Sequence, residues 1–466
     1  MHWHQCHTQV VTIVTISGHH DDWSTQATMA RPRSAVPADN DAARNRGDYS
    51  PGSDEPDWPD GTIDHPAFNP QLLRESFTII EPVAAKAMAY FFGRMLADYP
   101  QLRGMFLVSS GGHGERFLQT MRHMLSLENP QAVRTYLAQL GRDHRKFGVK
   151  AEHYEIVRDA FLATLERFAG GAWTDRLRSA WTAAFDLAAK IMIKAADEDA
   201  AHAPAWWLGE VLTHEPRGPD IAVLTVRPNL PLPHQAGQYV AVQCARWPRV
   251  WRTYSIANAP GADLLRFHVR AIPCGWVSGA LVHQTQPGDV LVLGPATGTM
   301  IADTSSTRDV VCVAGGTGLA PIKAIVQQLI AHKRGQDYER GPKRRIHLFF
   351  GARRESDLYD LPELQQMESD CEALQVIPVI SDEPEFGGLR GMLPTVVARF
   401  FSRGGHDVAD HDVYVAGPAE MIRETAQILT SIGIPAARLH NDPVVPEPVT
   451  HAVTPCAISG SMRHPR

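Results

Sequence analysis

A run of five small or apolar residues, Val310-Val311-Cys312-Val313-Ala314, leads straight into Gly315-Gly316-Thr317-Gly318-Leu319-Ala320-Pro321, and a helical stretch through Ile325 and Leu329 follows. An unbroken apolar run of this length reads as a strand buried on both faces, the kind found in parallel sheets. Glycines let the backbone approach a bound group closely, and the helix start beyond them presents free N–H groups to negative charge. Strand, glycine turn and helix together imply a doubly wound α/β layer with a pyrophosphate at its carboxyl edge. Pro321 stands where the usual dinucleotide fingerprint ends in glycine.

The same layer continues in strand-like runs at 346–351, 376–380 and 412–415, alternating with helical stretches. Before it, from Pro204, come short alternating runs at 222–227, 239–243, 253–256, 265–271 and 290–293, separated by Gly and Pro, which indicates a small antiparallel β-barrel. Earlier still, 69–201 is helical throughout. Leu72, Leu73, Phe77 and Ile80 form one stripe, Ala84, Met88, Phe91, Phe92 and Met95 the next, with breaks at Pro100, Gly111-Gly112, Pro130 and Gly170-Gly171. Residues 1–65 carry five prolines and little apolar periodicity, and 447–466 are rich in Pro, Thr and Ser; both read as disordered tails. The multidomain boundaries are therefore 66–203 all-α, 204–305 β-barrel and 306–446 α/β, consistent with about three domains for 466 residues.

Charge and cysteine usage narrow the function. A net charge of −6 gives no basic field for nucleic acid. Six cysteines without a Cys-x-x-Cys pair suit a reducing, cytoplasmic setting, and no apolar run reaches the ~20 residues of a membrane span. The early histidines, His2, His4, His7, His19 and His20, lie in the irregular tail, where nothing would fix a metal geometry.

Three further strings carry chemistry. Arg252-Thr253-Tyr254-Ser255 falls on a strand, so Arg252 and Tyr254 share one face and Ser255 points to the other. Gly275-Trp276-Val277-Ser278 opens a helix, where N–H groups and a hydroxyl can hold phosphate. In the helical part, Leu137, Leu140, His144 and Phe147 fall in one narrow sector, aiming an imidazole from an apolar stripe as a haem iron ligand requires.

In this order, Gly237-Gln238-Tyr239, the Arg-x-Tyr-Ser strand, the phosphate turn, the Gly-Gly-Thr-Gly-Leu-Ala-Pro turn and Ala416-Gly417-Pro418 resemble the ferredoxin-reductase superfamily. The helical part, through His144-Arg145-Lys146-Phe147 and Glu152-His153-Tyr154, resembles the globin of flavohaemoglobins. The resemblance implies that Arg252 meets the FAD pyrophosphate, that Tyr254 lies against the isoalloxazine with Tyr239 also facing it, that Ser255 sits near the reactive ring nitrogen, and that Thr253 and 275–278 complete the flavin site. It implies that Gly315, Gly316, Thr317, Gly318, Pro321, Gly417 and Pro418 bind NAD(P)H, with Arg353 and Arg354 leaving NADH or NADPH open. His144 becomes the ligand of haem b, Tyr154 its support, and Phe92 and Phe106 line the ligand pocket.

The implied activity is nitric oxide dioxygenase, turning nitric oxide and O2 into nitrate with electrons from NAD(P)H through FAD and haem. The alternatives are an NAD(P)H-dependent haem, peroxide or quinone reductase, and a haem-based oxygen or redox sensor. Phe92 takes the place of the family's distal tyrosine, leaving Tyr90 or His113 as substitutes. Ala196 takes the place of its proximal carboxylate, with Asp197 and Glu198 adjacent. Ala416 replaces the family's cysteine, and His440 to Val444 supplies no aromatic to cover the flavin.

Overall fold

The computed structural model describes residues 69–106, 112–126, 129–261, 263–335, 344–403 and 410–442. Both expected tails lie outside them, as does the side chain of His113.

Six α-helices make the first part: α1 (Pro70–Ile80), α2 (Ala84–Asp98), α3 (Gly112–Ser126), α4 (Pro130–His144), α5 (Ala151–Ala169) and α6 (Asp175–Ala200). The Asn69, Asn129 and Thr174 side chains cap the first turns of α1, α4 and α6, satisfying N–H groups that the helix cannot. The expected stripes are the buried faces: Leu73, Phe77, Ile80, Met88, Phe91 and Met95 share a core with Phe161, Leu165 and Trp181. Helix α4 meets α6 at very short range. A Cβ on Gly141 would stand 2.2 Å from the Met192 carbonyl oxygen, so only glycine lets the two backbones approach.

The second part is an antiparallel sheet of β1 (Trp207–Pro216), β2 (Ile221–Pro228), β3 (Tyr239–Cys244), β4 (Arg252–Ser255), β5 (Leu265–Arg270) and β6 (Val290–Thr297), with α7 (Trp276–His283) after β5. Its order is β4-β3-β6-β1-β2-β5, and a bridge between Ile256 and Phe267 brings the edge strands together, nearly closing a barrel. Strand β1 was not expected from the sequence. Gly209 and a register shift between Val211 and Thr213 blur its alternation.

The third part is a parallel sheet in the order β10-β9-β8-β7-β11-β12, formed by β7 (Asp309–Gly315), β8 (Ile346–Ala352), β9 (Leu374–Ile380), β10 (Leu389–Arg390), β11 (His411–Ala416) and β12 (Leu439–His440). Helices α8 (Leu319–Gly335), α9 (Leu361–Ser369), α10 (Leu393–Arg403) and α11 (Ala419–Ser431) cover it. Cys312 is buried in β7, and burial pushes its thiol up to about 12, so it is an inert core residue.

Barrel and layer are joined by buried polar groups. Lys323 of α8 is fully buried and bonds Asp360 at 2.5 Å and Glu363 at 2.8 Å. Arg266 of β5 grips Glu363 with two hydrogen bonds, at 2.9 and 3.3 Å. Gln327 and Gln328 on the same helix accept from the Ala259 and Ala236 N–H groups of the barrel. Beside them, His268 Nδ1 lies 2.8 Å from the Tyr359 hydroxyl, and burial, with Lys323 and Arg266 nearby, holds this imidazole well below its usual range.

Two predictions follow from these contacts. Gly141→Ala drives a methyl into the α6 backbone and should cost about 1–3 kcal/mol, read as a lowered thermal midpoint of the helical part. His268 is neutral when folded and binds a proton when unfolded, so its contribution is present above about 6.5 and is lost as pH falls below that value. His268→Gln should therefore show a shallower loss of stability between pH 7 and 5 than the parent in urea titrations; equal slopes would refute the assignment.

Candidate functional site

Three groups of expected residues converge on the barrel and its two neighbours. On the flavin strand, Tyr239 of β3 pairs with Ser255 of β4, and Val240 with Tyr254. Arg252 and Thr253 are exposed; Tyr254 is half-buried against the barrel core, and burial raises its phenol strongly. Tyr239 is also raised by burial, and its hydroxyl bonds Thr297. The two phenols therefore stay protonated and apolar-faced, as a ring-stacking surface needs. Arg252 stands close enough to Arg116 of α3 for the two cations to repel, so this rim favours an anionic group such as a pyrophosphate.

The expected phosphate turn is a tight loop held by its own side chain. Gly275 precedes α7, and a Cβ there would stand 2.4 Å from both Ile272 Cγ1 and Ser278 Oγ. Ser278 Oγ accepts from the Ile272 N–H at 3.3 Å and donates to the Gly275 carbonyl, which fixes the loop; Val277 is buried. Trp276 is half-exposed and stacks on Trp247, with centroids 4.9 Å apart.

At the carboxyl edge of the parallel sheet, the turns after β7 and β11 touch. A Cβ on Gly318 would stand 2.3 Å from the Ala416 carbonyl oxygen, and one on Gly417 3.1 Å from Gly315 Cα. Gly316 has φ 54° and Gly417 φ 152°, conformations open to glycine. Thr317 is half-buried, Pro321 is buried in the first turn of α8, and Pro418 precedes α11 with its surface exposed. This contact is the switch point, where the strands on either side of β7 run in opposite chain order. Sequence reasoning missed Arg270, whose Nη1 reaches from β5 to within 3.6 Å of where a Cβ on Gly316 would stand. It also missed Asp442, which accepts from the Thr299 and Met300 N–H groups beside Tyr239. His440 covers no flavin face; it stacks on Tyr414, with centroids 4.7 Å apart.

In the helical part, His144 is the last residue of α4. Its Nδ1 lies 2.6 Å from the Leu140 carbonyl oxygen. A carbonyl only accepts, so Nδ1 carries the proton and Nε2 keeps its lone pair. Burial lowers the imidazole below its usual range, more than its hydrogen bond and Asp143 raise it, so it is neutral near pH 7. A neutral, oriented imidazole with a committed Nδ1 fits an iron ligand. Tyr154 on α5 is half-buried and raised to about 12 by burial, and among the described residues it makes no hydrogen bond to His144.

On the other side, Phe92 packs edge-on against Phe106 with centroids 5.5 Å apart. Tyr90 turns outward, accepting from Arg94 and packing on Phe168, so it does not replace the phenol at Phe92. Ala196 is half-buried, Asp197 and Glu198 are exposed, and Asp199 is held by Arg145.

The Globin family model matches residues 89–192, and the Oxidoreductase NAD-binding domain model matches residues 312–427. A Flavohemoprotein of Chromobacterium violaceum is 25% identical over 398 residues, covering 79% of this chain and 95% of that protein. The chain therefore joins a globin to an oxidoreductase NAD-binding domain, the arrangement of its flavohemoprotein relatives. A flavohemoglobin from Malassezia yamatoensis, solved with bound FAD and heme, shares the fold with a TM-score of 0.62 at 20% identity, covering 78% of this chain and 97% of that one. The chain is also similar to a ferredoxin--NAD(P)(+) reductase component of naphthalene 1,2-dioxygenase/salicylate 5-hydroxylase systems from Ralstonia sp., 31% identical over 56% of this chain and 75% of that protein. The Pseudomonas putida xylene/toluene monooxygenase electron transfer component is 33% identical, and the chain spans 63% of its length.

Because Gly318 abuts the backbone of Ala416, Gly318→Ala should force the two turns apart. The KM for NAD(P)H should rise at least about tenfold, as misplacement of a binding element does, with flavin content unchanged; an unaltered KM would separate this turn from NAD(P)H binding.

Proposed function

We propose that this chain passes electrons from NAD(P)H through FAD to a haem b held by His144, and that it acts as a nitric oxide dioxygenase. When bound, the flavin takes a hydride, and the haem iron receives its electrons singly and brings oxygen to nitric oxide, giving nitrate. His144 holds the iron through Nε2, and the Leu140 carbonyl keeps the ring from rotating. Tyr254 would lie against the isoalloxazine, with Tyr239 on the adjacent strand, while Arg252 and the 275–278 turn would neutralise the pyrophosphate. The touching turns at Gly315 and Gly417 seat the nicotinamide nucleotide, with Arg270 beside them. One observation carries the reading: an imidazole with its Nδ1 committed and its Nε2 available ends the helix whose following turn meets Trp251, the residue before the flavin strand.

The second reading is an NAD(P)H-dependent reductase with another acceptor, such as a peroxide or quinone. It is favoured by the distal side, where Phe92 offers Phe106 a ring edge and no hydroxyl, and Tyr90 faces away. A bound oxygen there gains no hydrogen bond from either residue.

Spectra of the purified protein with and without NADH report both cofactors and their communication. His144→Ala should remove the haem bands and leave the flavin bands. Anaerobic NADH should reduce the haem rapidly, and nitric oxide should then disappear in air as nitrate forms. Fast reduction without nitrate would replace the dioxygenase with the second reading.

A further inference from the structure

The loop between β3 and β4 is where the barrel touches the globin beside His144. Arg249 stands in it at φ 67°, a costly left-handed conformation for a residue with a side chain, and its N–H is held by Gln243 Oε1 at 2.6 Å. Its guanidinium reaches the Gly104 turn of the globin, 3.8 Å from where a Cβ on Gly104 would stand. At the loop's end, Trp251 meets Phe147 edge-on, with ring centroids 6.4 Å apart. Phe147 in turn lies 6.4 Å from the His144 ring, also edge-on. Lys146 Nζ sits 5.4 Å from the Phe147 centroid and 5.9 Å from that of Trp251, while its stem packs on Gly294 of β6. The residue after Trp251 is Arg252, the first of the flavin strand. An unbroken set of contacts therefore joins the iron-binding imidazole to the strand that carries the flavin residues.

Two features argue that this contact is built rather than incidental. Phe147 keeps 42% of its surface exposed, so packing in the globin core is not what places it. The turn that carries it, Arg145–Phe147, is tied down from behind: Arg145 bonds Asp199 and the Ala203 carbonyl, and Gly148 ends the turn at φ 72°.

We propose that the Phe147–Trp251 contact, with Lys146 across both rings, is the positioning contact that sets electron passage from flavin to iron. The proposal rests on the flavohaem reading above. Each NAD(P)H, with one proton from solvent, gives a hydride to the flavin and leaves as NAD(P)+. The two electrons then pass singly to the one haem iron, which O2 and nitric oxide return to ferric between the two transfers as nitrate forms, and both flavin protons return to solvent. Electron transfer between fixed sites falls steeply with separation, so loss of this contact acts on the second step and spares the first.

The test uses Phe147→Ala and Trp251→Ala, from opposite sides of the contact, with Trp251→Phe as the conservative variant. In holoprotein mixed anaerobically with NADH, flavin bleaching in Phe147→Ala should keep the parental rate. Haem reduction should slow at least about tenfold in both alanine variants, the scale of a small misplacement, and recover in Trp251→Phe. In the cofactor-free chain, Lys146→Met and Trp251→Ala together should shift the unfolding temperature by an amount different from the sum of their single shifts, as touching groups do. Parental haem reduction in either alanine variant, or strictly additive shifts, would overturn the proposal. A parent that binds both cofactors yet never reduces its haem with NADH would overturn the flavohaem reading instead.

Discussion

A lysine with none of its surface exposed holds the reductase together. Lys323 is tolerated inside the protein because Asp360 and Glu363 neutralise it, and Glu363 is itself shared with Arg266 of the barrel. Removing Lys323 would take from the buried Asp360 carboxylate its hydrogen-bonded cation, at a cost of about 3–5 kcal/mol. Such a cluster has few alternative arrangements, so the parallel layer cannot slide on the barrel. The relative placement of the Gly315–Gly318 turn and the Tyr239/Tyr254 strand is fixed as a result, and Arg270 is carried across the same seam. Hydride chemistry between two folds requires this kind of fixed geometry.

The sequence revealed what is periodic or local. The helical stripes at Leu73, Phe77 and Ile80 and at Met88, Phe91 and Met95 are the buried faces in the structure. The glycine turns were legible because close backbone approach leaves few other residue choices, and Gly318 against Ala416 shows the constraint directly. Other features depend on contacts made at long range. Lys323 reads as an ordinary helix lysine, since its nearest partner in sequence lies 37 residues on and the arginine that shares Glu363 belongs to a different fold. Gly141 carries no local sign of its role, because the Met192 backbone it packs against lies on another helix. Trp251 gave no signal because its partner Phe147 belongs to another domain. At the end of the described chain, the Asp442 carboxylate accepts from two backbone N–H groups 142 and 143 residues earlier, a contact with no local signal.

The two sides of the globin pocket are governed differently. His144 is oriented by its own helix through Leu140, and its neutrality follows from burial, so neither property needs Tyr154 or a carboxylate from α6. The opposite wall is a matter of side-chain identity at Phe92 and Phe106, which pack on each other and on the core behind them. On the proposed reading, the imidazole can keep its orientation while the chemistry offered to a gaseous ligand changes by single substitutions on the opposite wall.

The 245–251 loop bears on how such a fusion arises. Joining a haem protein to a flavin reductase in one polypeptide brings the partners near, yet proximity alone sets neither distance nor orientation. Here the reductase carries a left-handed Arg249 and a tryptophan shaped to one surface of its neighbour. A recombination event that exchanged the N-terminal module for a distant homologue would preserve both cofactor sites and discard the fit between them. Lineages assembled this way must therefore diverge as coupled pairs, with the hairpin tip changing in step with the turn it meets.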